Sequence, residues 1–302
     1  FLAAVNCVHV IVPYDAPCRD AAARLNPHKA TQLNGPSLVA IQRIVQRHKR
    51  HKILVFAQSL DALSLIGELL QVPIVWGEMS QALRSLHVHC FNKCDPELYH
   101  VLVCSEVFDE AIDMSVTVVI DAGSRFGSEN QAKQRYGRMA RPGLAEDGVS
   151  PKVGFFYMLD VEGSELSWTY PKKSHFITQK TGAVFVDERI DPEPADEPII
   201  ELSRQRIQKL VQAQKCKEEE EARLRVELSG PAPGSVCPLT GKPYVNPVRA
   251  SDGFWYEKEA IEHRIFVLGQ RHSPQTFKLF PDATLLPPSG KWPLSKRSRT
   301  CA

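Results

Sequence analysis

Five short runs of Val, Ile, Leu and Phe punctuate the first half of the chain: KILVFAQS (52–59), VPIVWG (72–77), HVLVCSE (100–106), VTVVIDAG (116–123) and VGFFYMLD (153–160). Each is too short for an ordinary helix and stops at polar residues or glycine, as strands buried on both faces do. Between them, SLDALSLIGELL (59–70) and SQALRSLHVHCFN (80–92) repeat leucine at three- and four-residue spacing, the period of an amphipathic helix. Strand alternating with helix predicts an α/β fold, a parallel sheet with flanking helices. Ligands of such sheets gather beyond the carboxyl ends of the strands. Ser105, Asp113 and the arginine-rich run QRYGRMAR (134–141) fall there.

The pattern changes after residue 190. DPEPADEP (191–198) is a proline and acid cluster that cannot hold a sheet and reads as a boundary. The next thirty residues, 199–228, lack Gly and Pro and are rich in helix formers, with Ile200, Ile207, Leu210 and Val211 grouped early. They predict one long helix, read as a solvated spacer because Gln214 and Lys217 interrupt the heptads a coiled coil needs. GPAPGS (230–235) ends it, and a small turn-rich module follows. The predicted organisation is a lobe over 1–191, a linker and helix over 192–234, the small module over 235–288 and a basic tail over 289–302.

Composition narrows this picture only slightly. At 302 residues the chain is too long for one ordinary domain and suits one large and one small core. No stretch approaches the roughly 18 apolar residues of a membrane helix, so no membrane partner is expected. The opening FLAAVNCVHVIV has no basic residue before it and begins at Phe1, so it reads as a core segment of a longer protein. Eight scattered cysteines suggest free thiols in a reducing compartment. His87, His89, Cys90 and Cys94 in HVHCFNKC invite a zinc reading, yet no second, separated ligand pair follows; a helix end is the plainer alternative.

KILVFAQSLDAL, WGEMSQALR, LVCSEVFDEAIDM, SRFGSENQAKQRYGRMAR and FFYMLD, in that order and spacing, resemble helicase motifs IV to VI of the XPB family of superfamily 2 DNA helicases. The resemblance spans roughly residues 1–190, with LNPHK (25–29) before the first of these strands and FITQKTGAVFVD (176–187) at its end. It implies the second RecA-like lobe of a DNA translocase. Arg138 and Arg141 would then face the ATP γ-phosphate as arginine fingers, whose planar fork stabilises charge spread over phosphate oxygens. Ser105, Asp113, Gln134 and Arg135 would meet nucleotide or DNA. The 302 residues contain neither a GxxxxGK[ST] loop nor a DEAD-like acidic box; Gly241-Lys242 and Gly290-Lys291 are followed by Pro and Trp. ATP and Mg²⁺ are therefore expected only if an upstream lobe supplies their site, and this chain alone is not expected to hydrolyse ATP. Phe108 departs from the glycine usual in motif V. The resemblance further implies DNA and a transcription factor IIH-type repair complex as partners, in the nucleus.

The last module, SVCPLTGKPYVNPVRASDGFWYEKEAIEHRI (235–265) with HSPQTFKLFPDATLLPP (272–288), is similar to a U-box, the zinc-free relative of the RING finger in ubiquitin ligases. The matches are Cys237-Pro238, Asn246-Pro247-Val248, Asp252-Gly253, Tyr256-Glu257, Ile261 and Ser273-Pro274. After Cys237 the cysteines and histidines available are only His263, His272 and Cys301, too few and badly spaced for the paired zinc sites of a RING. The resemblance implies docking of a ubiquitin-conjugating enzyme on Leu239 and Pro274, with Arg264 where many members carry Trp; Asn246 replaces a common Asp. Leu239 and Pro274 are expected to lie exposed and close together. Three functions stay open: a translocase fragment, a ubiquitin ligase that uses the lobe to find DNA, and a scaffold without either activity.

Overall fold

The computed structural model describes residues 4–93, 99–105, 116–123, 135–137, 139, 152–164, 167, 170–228, 230, 231 and 234–286. The chain divides into two units, Phe1–Gln214 and Lys215–Ala302. Among the described residues of the first, seven strands form one sheet: β1 (Ala4–Val12), β2 (Ile53–Phe56), β3 (Ile74–Val75), β4 (Val101–Cys104), β5 (Val118–Asp121), β6 (Val153–Val161) and β7 (Phe185–Arg189). Their order is β3-β4-β2-β5-β6-β1-β7, and every pairing is parallel.

The apolar runs have a simple physical reason. All four residues of β2, β4 and β5 are buried, and successive side chains of a strand point to opposite faces. Ile53, Val55, Val101, Val103, Val118 and Ile120 enter one core, with Leu38, Ile41, Ile44 and Leu63 from the helices. Leu54, Phe56, Leu102, Cys104 and Val119 enter the other, with Phe91, Phe156 and Met158. Helices α1 (Ala16–Ala22), α2 (Pro27–Gln32), α3 (Gly35–Arg47), α4 (Leu60–Leu70), α5 (Gln81–Lys93) and α6 (Tyr170–Thr181) accompany the sheet. Among the described residues no helix is long and apolar enough to cross a membrane.

The opening apolar segment is β1, a strand between β6 and β7 that sequence periodicity left unassigned. His9 fastens it. This 7% exposed ring has Nδ1 at 2.9 Å from Asp187 and Nε2 at 3.2 Å from Asp160, and it stacks on Tyr170 with centroids 3.3 Å apart. One side chain thereby joins β1, β6, β7 and α6.

Helix α7 (Glu197–Leu228) matches the long predicted helix, but it is not solvated along its length. Ile200, Ser203 and Ile207, spaced i, i+3, i+7, are 7%, 0% and 3% exposed, a narrow stripe that buries one face. Gly35 permits the approach: a Cβ there would lie 3.0 Å from the Ile200 Cα. Ser203 Oγ donates to the Leu33 carbonyl, Arg204 pairs with Asp15 at 2.9 Å and Arg206 with Glu68 at 2.6 Å. Residues 215–222 are exposed.

The second unit holds a three-stranded antiparallel sheet of order β10-β8-β9, where β8 is Pro247–Ala250, β9 Trp255–Glu257 and β10 Leu285–Leu286, with helix α8 (Lys258–Glu262). Cys237, Val248, Ala250, Tyr256, Ile261, Ile265 and Phe280 form its core.

At the amino ends of the strands of the first unit, His48 is 5% exposed and hydrogen-bonded through Nε2 to Tyr157 Oη at 2.7 Å. Burial, then the charges of His51 and Arg47, lower its pKa from 6.5 to about 4, against an opposing pull from Glu188. The unfolded chain takes up this proton below its ordinary pKa while the folded chain refuses it until near 4. Stability from this site is therefore complete above 6.5 and drains as pH falls toward 4. We expect on the order of 3 kcal/mol over that window. Urea denaturation at about pH 7 and about pH 5 should show a smaller loss in His48→Gln than in wild type; equal losses would exclude His48 as the titrating group.

Candidate functional site at the strand carboxyl ends

Strands β3, β4, β2 and β5 end side by side at Val75, Cys104, Phe56 and Asp121, and the residues just beyond them line one edge of the lobe. Ser105 is there, as expected. Its amide donates to Val75 O at 3.0 Å, while its Oγ is enclosed and, among the described residues, has no hydrogen-bond partner, the kind of group that calls for a ligand or water. At the exit of β2 lies a pocket of about 300 Å³ lined by Asn26, His28, Lys29, Gln32, Gln58 and Ser59. The amino terminus of α4 opens on its wall: Ser59 caps that helix, its Oγ accepting from the Ala62 amide at 3.2 Å. Lys29 stands at the rim, paired with Asp61 at 2.5 Å and 29% exposed in its side chain; an ammonium keeps further donors after one such contact.

None of the pocket residues was assigned a role from sequence, although LNPHK contains the signal. Asn26 caps α2 by accepting from the His28 amide at 3.0 Å, and Pro27 fills the first turn. An Asn cap followed by Pro is a helix-start signature, and that start sets His28 and Lys29 facing β2's exit.

Arg135 takes a different place from the ligand-facing one expected. It is 1% exposed, its Nη1 lies 3.2 Å from Asp121 Oδ2, itself 3% exposed, and its guanidinium carbon sits 4.5 Å from the centroid of Phe56. The ion pair and the aromatic face answer each other's desolvation. With Tyr136 at 8% and Met139 at 0%, Arg135 anchors its segment against the sheet. Asp113, Gln134, Arg138 and Arg141 lie outside the described residues. Of the zinc candidates, His87 shares a 3.0 Å hydrogen bond with Tyr99 Oη, and Cys94 lies outside the described residues. Among the described residues no three His, Cys, Asp or Glu side chains converge as a metal cage would need.

The small module contains an internal duplication that the sequence reading missed: CPLTGK (237–242) and SPQTFK (273–278) fold as the same loop. Cys237 N donates to Lys242 O and Ser273 N to Lys278 O, both at 2.8 Å; Gly241 N donates to Cys237 O at 2.8 Å and Phe277 N to Ser273 O at 3.0 Å. Gly241 and Phe277 occupy the same left-handed position, φ 65° and 57°. Ser273 Oγ accepts from the amides of Gln275 and Thr276 at 3.1 and 3.0 Å. Cys237 Sγ does the equivalent and also accepts from Glu257 N at 3.2 Å. Burial pushes the Cys237 thiol up, but these amides outweigh it and hold it below its ordinary value. Glu257 in turn accepts from the amides of Val245 and Asn246 at 2.9 and 2.8 Å.

Leu239 lies in the first loop and Pro274, the counterpart of Pro238, in the second. They are half-buried rather than fully exposed, because Leu239 leans on the module's core. The bare apolar surface lies elsewhere, at Val245 (89%) and Phe277 (82%). Arg264 is half-buried with its Nε enclosed and, among the described residues, without a hydrogen-bond partner.

DNA repair helicase/translocase XPB-R of Trypanosoma brucei brucei is 26% identical over 217 residues, 67% of this chain and 27% of that protein. The general transcription and DNA repair factor IIH helicase/translocase subunit XPB of Dictyostelium discoideum is 28% identical over 192 residues, 59% of this chain and 22% of that one. Subunit XPB/SSL2 of Saccharomyces cerevisiae is 27% identical over 186 residues, again 59% and 22%. The chain thus spans about a quarter of the length of these curated relatives. The sequence model of the ERCC3/RAD25/XPB C-terminal helicase matches residues 1–230, which cover the whole parallel sheet and helix α7. The chain belongs to the ERCC3/RAD25/XPB C-terminal helicase family.

Proposed function

We propose that the chain is the second motor lobe of a nuclear DNA translocase of transcription and repair, carrying at its carboxyl end a module that recruits a ubiquitin-conjugating enzyme. The observation that carries the first part is the family match over the lobe, together with the polar pocket at the strand ends. A helix amino terminus, a lysine and a serine hydroxyl that has no partner among the described residues, all at the strand exits, suit phosphate oxygens, since backbone N–H groups, ammonium and hydroxyl all donate. In this reading a DNA phosphate lies against Ser59 and Lys29. In the same reading Arg138 and Arg141 serve a nucleotide held by another lobe, which brings ATP and Mg²⁺; the work of the arginines is charge stabilisation in the transition state. A transcription factor IIH-type complex is the expected assembly, because relatives of this chain carry that name.

Lys29→Gln tests the DNA contact. Titration of a labelled duplex should show binding weakened about three- to tenfold irrespective of sequence, with the logarithmic salt slope reduced by about one. An unchanged slope would remove Lys29 from the interface.

The duplicated loops support the second part. Each loop closes on a side-chain acceptor, sulfur in one and oxygen in the other, that gathers the amides two and three residues ahead. Hydrogen bonds can thus do the work a metal does in loops of this shape, with Leu239 on one loop, Pro274 on the other and Arg264 on the helical turn after α8. The conjugating enzyme carries its own thioester, so the module needs no nucleophile. Truncating an anchor typically costs on the order of 2 kcal/mol, a factor of about thirty in affinity. In autoubiquitination with a panel of conjugating enzymes, wild type should build chains with some member, while Leu239→Ala and Pro274→Ala should fold yet fail. Wild type inactive with, and unbound by, every member would leave a scaffold in place of a ligase.

A further inference from the structure

Gln32, at the end of α2, is 2% exposed, and it bonds main chain in two places. Its Nε2 donates to Gly123 O at 2.7 Å, beyond the end of β5. Its Oε1 accepts from the amides of Gln58 and Ser59 at 3.2 and 3.0 Å, beyond the end of β2. Those strands are neighbours, Phe56 opposite Asp121, so one amide group laces two adjacent strand exits. Gly123 turns with φ 86°, where a side chain would be strained. One of these exits forms the pocket wall with Ser59; the other continues from Asp121, the partner of Arg135.

A side chain that only filled space here needs no amide. Burying one is costly unless its donors and acceptor are answered, and here both ends are answered by main chain, none of it from α2 itself. We infer that Gln32 is a positioning residue: it fixes the Gln58–Ser59 wall against the β5 exit, so that the pocket is already shaped for a phosphodiester before DNA arrives. This rests on the DNA reading above. Preorganisation of this kind acts on affinity, because a wall already held does not have to be ordered on binding. It also makes one element common to the DNA edge and to the strand that leads toward the arginines.

The test compares wild type, Gln32→Met and Ile41→Val in the full 302-residue chain. Met keeps the length of Gln and loses all three hydrogen bonds. Ile41 is a 0% exposed core residue outside the pocket lining, so its truncation lowers stability without touching the wall. Thermal melts give stability, and fluorescence anisotropy with a labelled DNA duplex, read well below both melting points, gives affinity and salt slope. Gln32→Met should bind about tenfold more weakly at an unchanged salt slope, since Lys29 is still present. Ile41→Val should melt earlier and bind as wild type does. Gln32→Met that melts earlier yet binds within about twofold of wild type would make Gln32 a structural staple and overturn the inference. Wild type that does not bind the duplex overturns the DNA reading instead, and the inference with it. Amide exchange of wild type without DNA supplies a measurement independent of any variant: Gln58 and Ser59 protected like the sheet support a preformed wall, and exchange as fast as an open loop refutes it.

Discussion

A carboxylate with its charge inside a protein must be answered. Asp121 is the last residue of β5 and only 3% exposed. Its answer is Arg135, itself enclosed and laid over Phe56. Deleting one member of a buried pair typically costs about 3–5 kcal/mol, because the charge that remains has lost its counter-charge. The pair fixes where the chain returns to the sheet after residue 123, and Tyr136 and Met139 complete the seal.

The same edge shows how a parallel sheet turns its own geometry into a site. Every strand runs the same way, so all carboxyl ends lie together, and the connections leaving them are free to differ. At β2 the exit becomes a capped helix start; at β4 it becomes Ser105; at β5 it becomes a glycine turn. Gln32 reaches two of these exits from outside the sheet. Binding groups on separate connections thus share a rigid base, and the tolerance for misplacement is small because the base is a packed core.

The small module meets a different constraint. Its core is seven buried side chains among the described residues, and modules of this size need reinforcement beyond hydrophobic burial. The reinforcement is polar and repeated: two loops of one design, each gathering backbone amides on Cys237 or Ser273, with the Glu257 carboxylate clasping the amides of Val245 and Asn246. Phe277 occupies the backbone position that Gly241 fills in the partner loop, and its ring stands in solvent.

Sequence alone determined the class of the fold. A four-residue run such as ILVF or VLVC has apolar side chains on both faces, and a parallel sheet with helices on either side is what hides both. It also placed Ser105 at a strand exit and located the long helix and the turn-rich module, because caps, breakers and periodicity are local. It did not place β1, whose neighbours β6 and β7 begin 149 and 181 residues after it (153 − 4 and 185 − 4). Nor did it show that Arg135 is turned inward, that Gln32 reaches Gly123, or that α7 is buried on one face through Ile200 and Ile207. Those depend on strand order, on β5 lying beside β2 and the first strand between the last two, which comes from packing long segments together. Local patterns specify which face of an element is apolar; only the folded chain decides which other element covers it.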